Sequence, residues 1–369
     1  MRVTIALLCL TAVVYSVVAM DTWTTKNSML LAVSDHSASV IGSRIVVVGG
    51  CSGGQTCSGS FCGCTNVTAQ VQVLATATDS WSYGPAAPRE RYRGSSVTLG
   101  SKVYVFGGRD VSDNLVTAVD VLDASADDVA SWSWSTLAAA LPSPRSDHCS
   151  FVSGGKAYVV GGYTAAYETL ASVATYDAAT DSWASATDMP SSRGDLGCAE
   201  LDGRGYVFGG FSGTDFCAPV GALDEYNPTT NTWRARAALA HGRGDKAFVA
   251  VGGKLFVMGG EKKNATTNCS KYSYPIVEVE VYTPSTDSWE LDTPIPDERF
   301  RFAAAAYGSS IYVLGGQGEL KVASDSYDSL ATVETLEVTG ASSSAVRAAH
   351  TTVVAVAGLA AAAVMMVVL

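Results

Sequence analysis

The segment VYVFGG, Val103 to Gly108, is a β-rich apolar run that closes on two glycines. Such a run reads as a buried strand. The paired glycines let the chain leave it through backbone dihedrals that cost a residue with a Cβ about 1–2 kcal/mol. The same ending recurs as IVVVGG (Ile45 to Gly50), AYVVGG (Ala157 to Gly162), GYVFGG (Gly205 to Gly210), LFVMGG (Leu255 to Gly260) and IYVLGG (Ile311 to Gly316). All six place valine two residues before the first glycine, and the first glycines are 58, 54, 48, 50 and 56 residues apart. Self-similarity at that period predicts a repeat architecture in which each unit buries its apolar face against the next.

A second mark follows each of the first five glycine pairs. TDSW recurs at Trp81, Trp183 and Trp289, NTW at Trp233, and SWSW at Trp132 and Trp134. Tyr176, Tyr226 and Tyr282 each precede their tryptophan by seven residues, with Leu74 in that place before Trp81. Double glycine after a second strand, an aromatic in a third and tryptophan in a fourth resemble the kelch repeat. The resemblance implies an all-β fold, a six-bladed kelch β-propeller with four-stranded blades around a channel. The sixth repeat has a third-strand candidate in Thr332 to Val338 but no tryptophan beyond it, whereas Trp23 stands alone near the amino end. Met20 to Lys26 is therefore expected to supply the last blade's fourth strand, so that the propeller is closed by an N-terminal strand and no sheet edge is left open.

Strand parity places the loops. The double glycines open the connections between second and third strands, which share one face with the connections from one blade to the next. The run GGCSGGQTCSGSFCGC, Gly49 to Cys64, is one such loop; Phe211 to Pro219, with Cys217, and Glu261 to Tyr274, with Cys269, are others. Cys51, Cys57, Cys62 and Cys64 lie in a glycine-rich stretch that cannot pack by itself. In an exported chain with an even cysteine count they read as disulfides, two bridges in one of three pairings, in preference to a zinc knuckle. A Cys217–Cys269 bridge between adjacent loops is expected, and Cys149 and Cys198 on neighbouring inner strands are either a free pair or a bond. Asn66, Asn264 and Asn268 head glycosylation sequons.

Counting back sixteen residues from each first glycine gives Arg91, Arg145, Arg193, Arg243 and Arg299, with Val33 in the first repeat. Two residues further on stand Asp35, Arg93, Asp147, Asp195, Asp245 and Arg301. Both sets belong to the blade-to-blade connections at the channel mouth. A ring of guanidinium and carboxylate groups there can hold an anionic or polyhydroxylated ligand through bidentate hydrogen bonds. The kelch resemblance implies ligand contact for arginines at these two places. Arg93 and Arg301, which break the aspartate pattern, stand out as ligand contacts, while the sixteen-back arginines also fit a structural role at the blade junctions.

The chain ends set the expected compartment. Residues 1–20, with Arg2 and then an apolar stretch, read as a signal peptide. Residues 341–369 read as a GPI-attachment signal with Ser342 as the lipid acceptor, or as a C-terminal membrane helix. The propeller between them, residues 21–340, keeps 22 basic and 35 acidic side chains, a net of −13. That balance opposes nucleic-acid binding. The expected partner is an extracellular protein or glycan ligand, bound by the loop face of a cell-surface adhesion or recognition module with no cofactor and no metal. A copper centre resembling that of galactose oxidase needs two histidines, two tyrosines and a cysteine on a seven-bladed ring, whereas six repeats with only His36, His148 and His241 oppose it. The alternative is an isomerase similar to bacterial sialic acid mutarotase, with Glu90, Glu298, His36 or His148 as acid or base.

Overall fold

The computed structural model describes residues 22–58, 61–213, 218–263 and 274–339, with only the backbone described at 57, 58, 61 and 62. Six four-stranded antiparallel sheets form the propeller. From channel to rim, blade 1 comprises Ser37–Ile41, Arg44–Val48, Val71–Ala75 and Ser80–Tyr83, and blade 2 comprises Ser95–Leu99, Lys102–Phe106, Asp120–Asp123 and Ser133–Thr136. Blade 3 runs through Cys149–Ser153, Lys156–Val160, Val173–Asp177 and Ser182–Ala186; blade 4 through Gly197–Leu201, Arg204–Phe208, Leu223–Asn227 and Thr232–Arg236. Blade 5 has Ala247–Val251, Lys254–Met258, Val279–Thr283 and Ser288–Asp292. Blade 6 has Ala303–Tyr307, Ser310–Leu314 and Val333–Glu337, and its fourth strand is Trp23–Thr25 from the amino end, with Trp23 opposite Leu336.

The recurrent residues have distinct jobs. Each first glycine has φ between 53° and 68°. A Cβ built on it would lie 2.4–2.8 Å from the carbonyl oxygen of the next blade's sixteen-back residue, such as Arg193 O for Gly161. The second glycine's N–H donates to that same carbonyl at 2.8–3.1 Å in all six blades, and Gly316 N to Val33 O joins the sixth to the first. Backbone contact between blades is thus too close for any side chain at the first glycine.

The tryptophans stitch the rim. The indole N–H of Trp23, Trp81, Trp134, Trp183, Trp233 and Trp289 donates at 2.7–3.2 Å to a carbonyl just beyond the previous blade's outer strand. Tyr176, Tyr226 and Tyr282 face their tryptophans in register, with ring centroids 4.9–5.1 Å apart, which explains the seven-residue spacing. Between blades lie apolar clusters; Ile45, Val47 and Leu74 of blade 1 pack on Tyr312, Leu314 and Val333 of blade 6.

Candidate functional site

The two predicted rings have different fates. The sixteen-back arginines are 0–3 % exposed. Each Nη1 donates to the carbonyl of the first glycine sixteen residues on, at 3.0–3.3 Å, which gives the spacing its physical meaning. Arg91, Arg193, Arg243 and Arg299 also pair with Asp120, Asp224, Glu280 and Glu334 on their own blade's third strand. Arg145 instead donates to the carbonyl and hydroxyl oxygens of Ser172. Burial lowers Arg91, Arg145 and Arg243 to about 10, so they stay cationic at neutral pH. Corrected on this geometry, Arg91, Arg145, Arg193, Arg243 and Arg299 lie inside their blades, turned toward glycine carbonyls, and not at the mouth where the sequence placed them.

The second ring is at the mouth. Asp35, Arg93, Asp147, Asp195, Asp245 and Arg301 all have φ between 50° and 59°. This left-handed conformation suits aspartate better than arginine. At five of the six it turns the N–H toward the carbonyl of the preceding blade's ring residue: Asp35 to Arg301, Arg93 to Asp35, Asp147 to Arg93, Asp195 to Asp147 and Arg301 to Asp245, at 2.8–3.0 Å. At the sixth junction the Asp195 carbonyl accepts from Lys246 Nζ at 2.9 Å.

The ring's charges answer one another. Arg93 Nε lies 3.5 Å from both Asp35 and Asp147, while Arg301 Nε lies 2.9 Å from Asp245 and 3.8 Å from Asp35. Burial opposes charge on both arginines, but the flanking carboxylates outweigh it and raise them above the usual range. Burial, then Asp245 and Asp147, push the Asp195 carboxyl well up. Burial also works against ionised Asp245, but Arg301 overrides it and holds that carboxyl low. Tyr163 Oη donates to Asp195 at 2.8 Å.

A cavity of about 130 Å³ lies at this mouth, lined by the ring and by the residues that follow it, among them His36, His148, Lys246 and Phe302. Burial lowers His36 to about 4; burial with Arg145 and Arg91 lowers His148 to about 3, and burial with Arg193 drives Lys246 well down. Both His148 nitrogens and Asp147 Oδ2 are buried without a hydrogen-bond partner. Glu90 and Glu298 are not among the residues lining this cavity.

The cysteine loop reaches the same place. Cys51 is bonded to Cys64, so neither is a thiolate for zinc, and Cys149 is bonded to Cys198 across the innermost strands of blades 3 and 4. Gln55–Ser58 pairs with Phe61–Cys64 and, on its other side, with Ser326–Tyr327 of blade 6, which puts Cys57 opposite Cys62 in register. Gln55, fully buried, is inserted between two ring residues: its Nε2 donates to Asp35 at 3.0 Å and its Oε1 accepts from Arg301. Sequence reading missed Gln55, because the loop that carries it has no counterpart in other repeats. Lys246 and Arg109 were missed too; Arg109 is buried under the Tyr167 ring, 3.9 Å from its centroid. Both directly follow a repeat landmark, the only signal that could have found them.

Asn66 is exposed on this loop. Cys217, Cys269, Asn264, Asn268, Ser342 and both chain ends lie outside the described residues. Among the described residues no helix is long and apolar enough to cross a membrane, and no group of three His, Cys, Asp or Glu is placed to hold a metal.

The profile described as the KLHDC2/KLHL20/DRC7 Kelch-repeats domain matches residues 35–260 and 95–316. Kelch-like protein 25 of Xenopus tropicalis is 31% identical over 184 residues, 50% of this chain, and the chain spans only 31% of that relative's length. The solved chain titled "Structure of YjhT" aligns with a TM-score of 0.65 at 16% identity, covering 82% of this chain and 95% of that one, a likeness of fold alone.

Proposed function

The chain belongs to the kelch-repeat family, whose propellers are generally protein-binding modules, and from that premise we propose that it is a cell-surface recognition module that seats an extracellular protein ligand on its channel mouth. The observation that carries the reading is the polar cavity there, where Asp147 Oδ2 and both His148 nitrogens have no partner. Buried polar groups left unpaired cost about 1–3 kcal/mol each, which a ligand supplying hydrogen bonds would recover. Because Arg93 and Arg301 each lie between carboxylates, a ligand that donates to Asp147 fits better than a simple anion. Two disulfides support an oxidising compartment. A secretory leader at residues 1–20, a lipid anchor at Ser342 and glycans on Asn66, Asn264 and Asn268 complete the reading. Peptide and glycan arrays probed with wild-type protein and with Asp147→Asn and Arg93→Ala test it. Peptide signals lost in both variants support the proposal; signals unchanged in both overturn it, and a glycan-only signal shifts the ligand class.

A second reading, sugar isomerisation, is favoured by one observation. Two carboxyls that line the mouth are driven in opposite directions: burial, then Asp245 and Asp147, push Asp195 well up, while Arg301 holds Asp245 low against its own burial. Opening a cyclic sugar needs an acid and a base so placed. NMR exchange between the α and β forms of sialic acid, accelerated by wild-type protein and not by Asp245→Asn, would support it; no acceleration would remove it.

A further inference from the structure

A second cavity, of about 730 Å³, opens on the loop face between blades 5 and 6 and shares no lining residue with the mouth. One wall is Tyr274 and Pro275, paired with Glu261 and Lys262. The other is the turn from Glu319 to Asp325, whose base is fixed by Lys321 N to Ser326 O at 2.8 Å and continues into the strand that pairs with Gln55 and Thr56. Glu298 lies between them.

Two properties set what such a groove can hold. It displays apolar surface to solvent: Val322 is 84% exposed and Tyr274 42%, two of the six exposed large hydrophobic residues among those described. It is also acidic: Glu298 and Glu319 line it, and none of the described residues that line it is cationic; the nearby Lys321 is paired with Asp328, and Lys262 with Glu278 at 2.6 Å. Burial, then Glu319 and Glu278, raise the Glu298 carboxyl. A polyamine would answer the carboxylates and leave Val322 and Tyr274 wet; a neutral apolar ligand would do the reverse.

We propose that this groove is a docking site for a partner polypeptide in which Lys or Arg alternates with apolar side chains, the cations meeting Glu298 and Glu319 and the apolar residues covering Val322 and Tyr274. An extended strand supplies that alternation, since successive side chains point to opposite sides. The site does not depend on the mouth, so either can fail without the other.

The test is fluorescence anisotropy on the full chain with a labelled nonapeptide alternating Leu and Lys, against a matched peptide alternating Leu and Glu. Wild type should bind the first and not the second. Glu298→Gln with Glu319→Gln should weaken binding about tenfold, the loss expected for two partly exposed ion pairs. Val322→Ser should weaken it with no change of charge, and Asp147→Asn should leave it unchanged. A control with equal loss of charge elsewhere, Asp127→Asn with Glu290→Gln, should also leave it unchanged. Equal binding of both peptides, no effect of the Glu298/Glu319 pair, or equal weakening by the control pair overturns the proposal.

Discussion

The amide of Gly316 donates to the carbonyl of Val33 at 2.9 Å, the bond that joins every other pair of neighbouring blades. The sixth blade is therefore fastened to the first at the glycine tier, as well as at the rim, where the Trp23–Thr25 strand pairs into blade 6 and Trp81 of blade 1 donates to Asn27 O just beyond it. A chain starting at Asn27 should keep the glycine tier and lose the rim, leaving Val333–Glu337 as an open edge. It is expected to melt lower and to self-associate with rising concentration, by scanning fluorimetry and light scattering. Unchanged melting would show the fourth strand to be dispensable.

The buried arginines should not be equivalent. Arg299→Met strands Glu334, itself only 2% exposed, without a counter-charge, at a cost of about 3–5 kcal/mol. Arg145→Met strands no acid and should cost about 1–3 kcal/mol in lost hydrogen bonds to Gly161 and Ser172. Denaturant melts of the two variants check the order; equal losses would show that the carboxylate contributes nothing.

Two glycines of blade 3 separate strain from collision. Gly155 has φ of 75° and open space around its missing Cβ, so Gly155→Ala should cost about 1–2 kcal/mol. Gly161 adds a backbone oxygen at 2.8 Å, and Gly161→Ala should destabilise far more or prevent folding. Soluble yield and melting temperature distinguish them.

His36 and His148 should make the fold acid-sensitive. Their folded values, about 4 and about 3, lie below the ordinary 6.5, so unfolding takes up protons as pH falls. The stability they contribute is fully present above pH 6.5 and declines below it, by up to about 1.4 kcal/mol per pH unit for each histidine. The raised carboxyl of Asp195 acts in the opposite sense. The informative quantity is thus the difference between wild type and His148→Phe, which should have a shallower decline between pH 6 and 4. An identical slope would refute the assignment.

The disulfides should act at different ranges. Cys149–Cys198 spans 49 residues and ties two innermost strands, so replacing both with alanine should cost about 2–4 kcal/mol. Loss of Cys51–Cys64, which spans 13, should leave global melting nearer wild type and speed hydrogen exchange at Gln55 and Tyr327. Faster exchange throughout the sheets would contradict that local role.

The fold was legible because its marks repeat. Glycine pairs, valines and tryptophans stand at fixed offsets since each blade must meet the next in the same way, and Trp23 was recognised by the gap it fills. The ring positions were legible for the same reason, but their exposure was not. Arg91 and Arg93 are two residues apart, yet one turns inward to a glycine carbonyl and the other faces the mouth, because the left-handed φ at Arg93 redirects the chain. Nothing in composition distinguishes them. Gln55 belongs to a loop found once, and periodicity says nothing about what happens once.

That loop has a mechanical consequence. The strand pairing of Gln55–Ser58 with Ser326–Tyr327 fastens blades 1 and 6 on the upper surface, at a different radius from the Trp23 strand. A hoop held by one clasp springs open when the clasp slips, whereas two clasps set apart must slip together. Tension on the amino terminus should therefore peel the outer strand while the disc stays round, and slack at the rim would be absorbed without disturbing the axis.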